Sequence, residues 1–490
     1  MVLVMAAIVL LASCHKESSE KKILSFSFAS PAVEATVAED AKTIVAVVPE
    51  GTLLTNLVPI IVISEKATVV PASGTVVDFT NPVDFTVTAE DGSTVVYKAT
   101  VTVENGGGGG GGGGIDPNDP TTWSGAISAN TTWKDKGLDV DYIIDGWTWI
   151  EGNACLTIEP GVTIMFTGTD GGLEVGENAG LKMIGTAEKP IRLVNPTNNN
   201  NVGAWRGIRI NSKRSDNQFE YVQFINGGAD HPVIYNRGTL SMKHCLIDGG
   251  QGNGIDLQWD GEFTAFENNT IKNVDYPLWM DSFKKVNALG NGNSYVNNTN
   301  NMINMCIYWL DDNSNVTFNN QGIPYYMSEG LNVYDNSKMI VDAGVEFVFD
   351  YEKEFVVSDD CRLEVNGTAS QPVIFRAKDA ENPWRGLAFY SSRTGNVINY
   401  AKIMNCGLDE YGTERCCLYV GSEAKLTLTN NVFGPSYYYG VAIQYLPNWG
   451  NVTHSGNTFT DCAIANVIIE TGGDWNGAEI ADETTTNHLP

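Results

Sequence analysis

The sequence predicts an all-β protein, a small antiparallel β-sandwich followed by a tandemly duplicated parallel β-helix. Residues 23–104 alternate apolar and polar residues in six or seven short runs, separated by turn signals such as PEG and EDGS. From Trp123 onward, three-residue strand cores such as LTI, LEV and IRL recur without an apolar stripe at helical spacing. The tripeptide WRG stands at residues 205–207 and again at 384–386, each time before alternating apolar residues.

The first element is an apolar run, MVLVMAAIVLLASC, that ends at Cys14. It is too short to cross a membrane as a helix and has the length of a secretory leader, although no lysine or arginine precedes it. We therefore expect a signal peptide at residues 1–13 and a polar tether at 14–22. LASC resembles the lipobox of bacterial lipoproteins, and this resemblance implies lipidation at Cys14. The acidic residues that follow resemble an export signal of Gram-negative surface lipoproteins, which implies an outer-membrane protein displayed outward.

The second element, residues 23–104, has the strand spacing of a small antiparallel sandwich. Its segments EGTLLTNLVPIIVIS and FTNPVDFTVTAEDGSTVVYKATV resemble the immunoglobulin-like or cadherin-like modules of bacterial surface lipoproteins. That resemblance implies a spacer. Residues 105–122 contain nine consecutive glycines, a composition typical of a flexible linker and not of a phosphate loop, which needs a lysine and a helix after it.

The third element, residues 123–490, is expected to be the β-helix, with repeat halves at about 140–323 and 324–470. GVTIMF at 161 aligns with GVEFVF at 344, and LKMIGTAEKPIRL at 181 aligns with LEVNGTASQPVIF at 363. Short strands with asparagine-rich turns favour a solenoid in which each coil buries its inward side chains on its neighbours. A β-propeller is the alternative, but no regular blade period is visible.

The duplicated tripeptide has two interpretations, a corner of the fold or a ligand groove present twice. A glycine permits a tight corner or a close backbone approach, and a tryptophan can seal it, which favours the corner. The groove would use the tryptophans and arginines as ligand contacts. The residues in question are Trp205, Arg206, Gly207, Trp384, Arg385 and Gly386.

The order GTAEKPIRL, WRGI and FEYVQFINGG, found in two rounds, resembles a broad family of bacterial secreted and surface right-handed parallel β-helix proteins. The resemblance covers about residues 140–470 and implies the fold that also houses pectate lyases and polygalacturonases. These motifs hold coils together, so the resemblance implies the fold without a function.

Composition narrows the classes of partner. The net charge of −28 argues against nucleic acid and against an anionic membrane surface. No cofactor is indicated, although dispersed carboxylates leave calcium binding open. The eight cysteines after Cys14 fit no zinc pattern, and because most lie in apolar runs we expect buried free thiols in preference to disulfides.

An enzyme would need acid–base groups, and the sequence offers few. The nearest carboxylates are Asp275, Asp311 and Asp312, without the Gly-His-Gly and Arg-x-Lys elements that accompany them in polygalacturonase-like hydrolases. Asp139 and Asp141, expected on one strand face, lack the basic partner of a lyase.

Aromatic residues give the stronger hypothesis, because flat rings on a rigid solenoid suit stacking against sugars. The alternative is that they only seal coil ends. The candidates are Trp147, Trp149, Tyr308, Trp309, Tyr437, Tyr438, Tyr439 and Trp449. The sequence thus favours a lipid-anchored surface protein whose β-helix binds a neutral or aminated extracellular glycan, or another extracellular partner such as a protein. A polysaccharide lyase or glycoside hydrolase, and a structural adhesin-like protein, remain alternatives.

Overall fold

The computed structural model describes residues 17–49, 52, 54–103, 120–195, 202–408, 415–444, 451–470 and 478–479. The chain divides into two compact units. Cys14 and Trp449 lie outside the described residues. In the part of the chain that is described, no helix has the length and apolar character needed to cross a bilayer.

The described residues of the N-terminal unit form eight strands and one short 3₁₀ helix (Leu54–Asn56). Its strands are β1 (Ile23–Ala29), β2 (Ala32–Glu34), β3 (Thr36–Ala38), β4 (Thr43–Val48), β5 (Pro59–Ile63), β6 (Thr68–Val70), β7 (Val83–Thr88) and β8 (Thr94–Val103). They form a three-stranded sheet ordered β2-β1-β5 and a five-stranded sheet ordered β3-β4-β8-β7-β6. All pairs are antiparallel except β4 with β8, which is parallel.

Alternating side chains explain how the two sheets of this unit meet. Phe26, Phe28, Phe79 and Phe85 are buried and pack edge-to-face or stacked, with ring centroids between 5.2 and 6.4 Å apart. Such aromatic pairs add to the free energy gained by burying their area. The apolar residues that alternate with polar ones in the sequence therefore form the buried face of each sheet.

The C-terminal unit is a β-solenoid of about 13 turns. Its first half contains β9 (Thr121–Ile127), β10 (Thr131–Trp133), β11 (Tyr142–Ile150), β12 (Cys155–Ile158), β13 (Thr163–Val175), β14 (Gly180–Ile184), β15 (Ile191–Val194), β16 (Gly207–Ile210), β17 (Gln218–Glu220), β18 (Val222–Gly227), β19 (Ile234–Asn236), β20 (Thr239–Lys243), β21 (Leu246–Gly250), β22 (Ile255–Leu257), β23 (Glu262–Glu267), β24 (Thr270–Lys272), β25 (Leu278–Met280), a 3₁₀ helix (Phe283–Ala288), β26 (Ser294–Val296) and β27 (Ile303–Met305).

The second half continues with β28 (Trp309–Leu310), β29 (Asn315–Phe318), β30 (Tyr325–Met327), β31 (Leu331–Val333), β32 (Lys338–Val341), β33 (Glu346–Phe349), β34 (Glu354–Val357), β35 (Arg362–Asn366), β36 (Val373–Ala377), β37 (Gly386–Phe389), β38 (Val397–Asn399), β39 (Ala401–Met404), β40 (Cys416–Val420), β41 (Leu426–Thr429), β42 (Val432–Phe433), β43 (Tyr439–Ile443), β44 (Val452–Ser455), β45 (Thr458–Phe459), β46 (Ala465–Glu470) and β47 (Ala478–Glu479).

Each coil contributes strands to three faces, and strands of successive coils pair in parallel. The first face runs β10-β12-β14-β17-β20-β23 and resumes as β29-β32-β35-β38-β41-β44. In the first half, the second face contains β15, β18, β21, β24 and β26, and the third face contains the last part of β13 and then β16, β19, β22, β25 and β27. In the second half the third face runs β28-β31-β34-β37-β40-β43-β46.

The two halves are offset where they join. Strand β27 pairs with β25 on the third face of the first half and with β30, which lies on the second face of the second half. This offset lies between the repeats read from the sequence, and no feature of the residue pattern indicates it.

The WRG corner has the same geometry in both copies. Trp205 and Trp384 are fully buried, stack on Phe166 and Phe349 at 4.3 and 4.2 Å, and donate their indole N–H groups to the carbonyls of Ile225 and Met404 at 2.8 and 2.9 Å. Gly207 and Gly386 have φ angles of 118° and 98°, and a Cβ at Gly386 would lie 2.1 Å from the Cys416 carbonyl oxygen. These contacts are those of a packed corner of the fold.

The alternation after each corner is as expected. Ile208 and Ile210, like Leu387 and Phe389, point inward and are buried. Asparagines close the turns: Asn217 and Asn396 accept the backbone N–H groups of Leu181 and Leu363 at 3.1 and 2.8 Å. Buried polar groups need such partners, which accounts for the asparagine-rich turns.

Two expectations about cysteine and aspartate side chains are wrong. Cys406 and Cys417 form a disulfide instead of remaining free thiols, because the corner and the strand β40 of one coil place their Cα atoms 5.3 Å apart. Cys245, Cys361 and Cys416 are buried free thiols as expected, whereas Cys155, Cys306 and Cys462 are half-buried. Asp139 is an exposed bend residue and shares no strand face with Asp141, which is buried and accepts the backbone N–H of Thr163 at 2.8 Å.

Candidate functional site

The outward side of the third face in the first half carries a row of polar and aromatic side chains, one from each coil. Parallel pairing places Trp149 beside Glu174, then Arg209, Tyr235 and Asp256 in successive coils. Side chains alternate between the two sides of a strand, so the apolar residues between them face the core. We call this row the polar ladder.

A cavity of about 340 Å³ lies at one edge of the polar ladder, where the chain turns into the third face. Trp147 forms one wall. Its ring lies over Gly172, where an added Cβ would come within 2.3 Å of it, and its indole N–H donates to Glu174 at 2.9 Å. The guanidinium of Arg206 lies 4.8 Å from the ring centroid, within cation–π range. The glycine and the carboxylate therefore hold the ring in one orientation.

The cavity combines cations with carboxyl groups. Arg206 and Arg209 line it together with Asp230, His231 and Asp256. Partial burial, followed by the charges of Arg206 and Arg209, lowers the pKa of His231, so the imidazole is neutral at pH 7.

Asp256 is the most perturbed group of this cavity. It is 8% exposed, and burial raises the pKa of its carboxyl to about 6, against the opposing hydrogen bonds of Asn253 and Gln258. The Asn253 amide donates to it at 2.8 Å, and Gln258 in turn accepts the Tyr235 hydroxyl at 2.6 Å. A carboxyl group that titrates near pH 6 in a cavity is a frequent mark of a functional site.

A second cavity, of about 700 Å³, lies at the opposite edge of the third face, where the chain leaves it. Its wall includes the exposed ring of Trp259, over which the Arg237 guanidinium lies at 4.7 Å. Asn178 and Asn211 add amide groups, and Asn211 donates to Glu174 at 2.8 Å. Glu174 thus joins the two cavities, since it also accepts from Trp147.

The second copy of the repeat serves as an internal comparison. Its strands β34, β37, β40 and β43 occupy the positions of β13, β16, β19 and β22, and their outward residues are Val356, Ala388, Tyr419 and Ala442. Ala388, Tyr419 and Ala442 are buried in an apolar cluster. The corner is the same in both copies, whereas the polar ladder exists in only one. A structural requirement of the coil therefore does not explain the ladder.

The structure brings together part of the candidate set named from the sequence. Trp147, Arg206 and Gly207 line the first cavity, and Trp149, 45% exposed, lies at the end of the polar ladder. Because Trp205 is buried in the corner while Arg206 faces the cavity, the two interpretations of WRG apply to different residues of one tripeptide.

Other aromatic candidates lie elsewhere. Tyr308 and Trp309 form an edge-to-face pair at 4.7 Å, and Trp309 is 48% exposed beside Tyr334. Tyr437 is exposed and Tyr438 half-buried. The expected exposure of Tyr439 is wrong, because this residue begins β43 and is buried in the apolar cluster.

The carboxylates of the enzyme alternative have ordinary surface partners. Asp275 accepts the Asn300 amide at 2.7 Å, and Asp312 pairs with Lys284 at 2.8 Å, with Asp311 4.0 Å from the same lysine. Among the described residues, no group of three or more His, Cys, Asp or Glu side chains is arranged to hold a metal ion.

Sequence reasoning missed Arg209, Tyr235, Asp256 and Trp259. For Arg209 and Asp256 the signal was present in the two aligned copies, whose inward positions are apolar in both while these two outward positions differ; Tyr235 gives no such signal, because its counterpart is Tyr419. Comparing outward positions alone would have separated Arg209 from Ala388 and Asp256 from Ala442.

Two family models match this chain, one in each of its two units. Residues 23–102 match the family model described as "SGBP, N-terminal", and residues 125–231 match the one described as "Pectate-lyase like beta helix domain". No curated protein matches the chain. A crystal structure described as a candidate glycoside hydrolase from Bacteroides thetaiotaomicron is 30% identical over 18% of this chain and 27% of that chain, with a TM-score of 0.16. The chain thus spans about a quarter of that protein's length. The protein carries an SGBP N-terminal domain followed by a pectate-lyase-like β-helix domain.

Proposed function

We propose that this is a cell-surface glycan-binding protein of a bacterium, and that its β-helix binds the glycan along the polar ladder and its two cavities. SGBP denotes surface glycan-binding proteins, so the match of residues 23–102 supports both the surface location and the class of ligand. In this proposal lipidated Cys14 anchors the chain to the outer membrane and the N-terminal unit acts as a spacer.

The observation that carries the proposal is the divergence between the two copies on the third face. On the outward side, one copy carries the half-buried Glu174, Arg209 and Tyr235 and the buried Asp256, whereas the other carries apolar residues packed in a cluster. Aromatic faces next to amide, guanidinium and carboxyl groups are the chemistry that recognises sugars, by stacking and by hydrogen bonds to hydroxyl groups.

The test is binding of the purified chain from His15 onward to a polysaccharide panel, measured by affinity electrophoresis and calorimetry. The panel contains neutral polymers (xyloglucan, galactomannan, laminarin) and acidic ones (polygalacturonate, alginate, chondroitin sulfate). Arg206 and Arg209 would contact an acidic ligand, so both classes are needed. We expect at least one polymer to bind, and Trp147→Ala to weaken its binding by about tenfold, the size of a lost stacking contact.

Trp309→Ala is the matched control, since it removes an exposed tryptophan from the other half of the solenoid. If Trp309→Ala abolishes binding and Trp147→Ala leaves it unchanged, the binding face is the Tyr308–Trp309 surface named from the sequence. If no polymer binds, the proposed function is wrong.

The observation on Asp256 favours a second candidate function, polysaccharide hydrolysis. A general acid must hold a proton near neutral pH, and a carboxyl with a pKa of about 6, in a cavity that Asp230 also lines, fits that requirement. New reducing ends released from any polymer of the panel, and lost in Asp256→Asn, would establish this function. Their loss in variants of Asp275, Asp311 or Asp312 instead would place the chemistry at the carboxylates named from the sequence.

A further inference from the structure

Trp259 is an exposed tryptophan held in an unusual backbone conformation. It follows strand β22, is 70% exposed and has a φ of 57°, in the left-handed region where bulky residues are rare. Two neighbours fix its backbone. The Asp281 carboxylate accepts its N–H at 2.7 Å, and the Lys285 ammonium donates to its carbonyl at 3.1 Å.

Lys285, which holds the Trp259 backbone, is itself buried and charged. Lys285 is 9% exposed and also donates to Asp281, at 2.5 Å, and to the carbonyl of Leu257 at 3.1 Å. A buried ammonium with these hydrogen bonds and a half-buried carboxylate partner holds one geometry, and a strained backbone persists only where its surroundings impose it. The structure therefore holds a large apolar ring in solvent at a fixed position.

A chain of contacts connects this ring to the first cavity. Arg237 lies 4.7 Å from the Trp259 ring and 5.8 Å from the Tyr235 ring, and Arg209 lies 5.4 Å from Tyr235 and 5.9 Å from Trp147. Rings and guanidinium groups alternate from one edge of the third face to the other. The equivalent of Arg237 in the second copy is Gly421, which follows β40 as Arg237 follows β19. The connection belongs to the first copy.

The surroundings of Trp259 are polar. The 700 Å³ cavity that it lines also contains Asn178, Glu177, and the ion pair of Lys213 with Asp260 at 2.9 Å. A flat ring bordered by amides, carboxylates and an ammonium group is suited to a pyranose, whose one face is apolar and whose rim carries hydroxyl groups.

We infer that Trp259 is the stacking platform of a second sugar subsite, and that the ligand is a glycan chain that crosses the third face from Trp147 to Trp259. This inference rests on the proposed function and adds to it the length and direction of the ligand. The two cavities lie at opposite edges of one face, and a single sugar ring fills only one of them.

The experiment measures affinity against chain length by calorimetry, with cello-, manno- and galacturono-oligosaccharides of two to six residues. Trp259→Ala should weaken the binding of a hexasaccharide by about tenfold, the size of one stacking contact, and change that of a disaccharide held at Trp147 by less than twofold. Trp259→Phe, which keeps a ring, should recover part of the loss. Trp309→Ala, an exposed tryptophan elsewhere, should leave both unchanged, and circular dichroism reports whether each variant is folded.

The failures of the two proposals are distinguishable. If hexasaccharides bind and Trp147→Ala weakens them while Trp259→Ala has no effect at any length, the second subsite is wrong and the proposed function stands. An equal loss for all lengths in Trp259→Ala also overturns the subsite, because the residue would then act through the first cavity. If no oligosaccharide or parent polymer binds, both proposals are overturned.

Discussion

The two corner tryptophans allow a test that separates architecture from ligand contact. Trp205 and Trp384 have the same burial, the same stacked phenylalanine and the same indole hydrogen bond to a carbonyl. Replacing either with alanine deletes a fully buried indole, which costs about 3–5 kcal/mol of unfolding free energy. Because the two environments agree so closely, the two costs should lie within about 1 kcal/mol of each other.

Phenylalanine gives an intermediate value. Trp205→Phe keeps a ring over Phe166 but leaves the Ile225 carbonyl without its donor, which costs about 1–3 kcal/mol. The order of stability should therefore be wild type, phenylalanine variant, alanine variant, in each copy.

The assay is urea unfolding followed by circular dichroism, together with amide hydrogen exchange. A solenoid can unfold in more than one cooperative step. Amide exchange in β16–β18 and in β37–β39 therefore measures the local stability of each corner separately. A cost below about 1 kcal/mol at either tryptophan would refute the packing argument. Full stability in both variants with loss of glycan binding would assign the tryptophans to the ligand site.

Three further predictions follow from the described contacts. Asp256→Asn should be more stable than wild type by up to about 3 kcal/mol at pH 8 and equal to it below pH 4. Burial raises the pKa of the Asp256 carboxyl to about 6, so the wild-type folded state loses stability as the pH rises from 4 to 6. Urea unfolding midpoints across this pH range measure the difference. Gly386→Ala should lower the melting temperature, because its Cβ would lie 2.1 Å from the Cys416 carbonyl oxygen and its φ is positive. Gly92→Ala is the control: this exposed glycine also has a positive φ, but nothing lies within 4 Å of an added Cβ, so the change costs only backbone strain. Equal losses in the two variants would contradict the prediction. Cys14→Ala should release the protein from membranes and abolish palmitate labelling, and unchanged labelling would exclude the anchor.

Much of the fold could be predicted because the residues that point into the core determine it, and their apolar pattern is visible in the sequence. Trp205 and Trp384, with Ile208 and Leu387, repeat because the same inward space must be filled twice. The predicted all-β architecture, with a β-helix after a small N-terminal β-unit, is confirmed, and so is the resemblance to a pectate-lyase-like helix. Individual side-chain contacts were not predictable. The Cys406–Cys417 disulfide depends on how closely one coil brings the two Cα atoms together, and spacing along the chain does not state that.

The candidate site was predictable only in part, for the same physical reason. Core packing does not restrict the type of an outward residue such as Asp256. Its residue type therefore does not indicate a function until its neighbours on the sheet are known. Pairing brings Arg209, Tyr235 and Asp256 side by side although 21 or more residues separate them along the chain. Trp147 could be named because it alternates with Trp149 on one strand, but its partner Arg206 becomes evident only in three dimensions.

The two copies of the repeat differ in the outward residues of the third face, and this difference shows which positions can change after a duplication. Inward residues of both copies stay apolar and buried, as in Ile210 and Phe389, since a coil with a polar interior would not stack on its neighbours. Outward residues of the third face are free of that constraint, and here one copy carries the charges and rings of the polar ladder while the other packs Ala388, Tyr419 and Ala442 into an apolar cluster. If the ladder only made the surface hydrophilic, separate lysines and glutamates would suffice. A carboxyl held at a pKa of about 6, a ring seated on Gly172 and a tryptophan fixed at positive φ each cost stability, and that cost is consistent with binding a ligand.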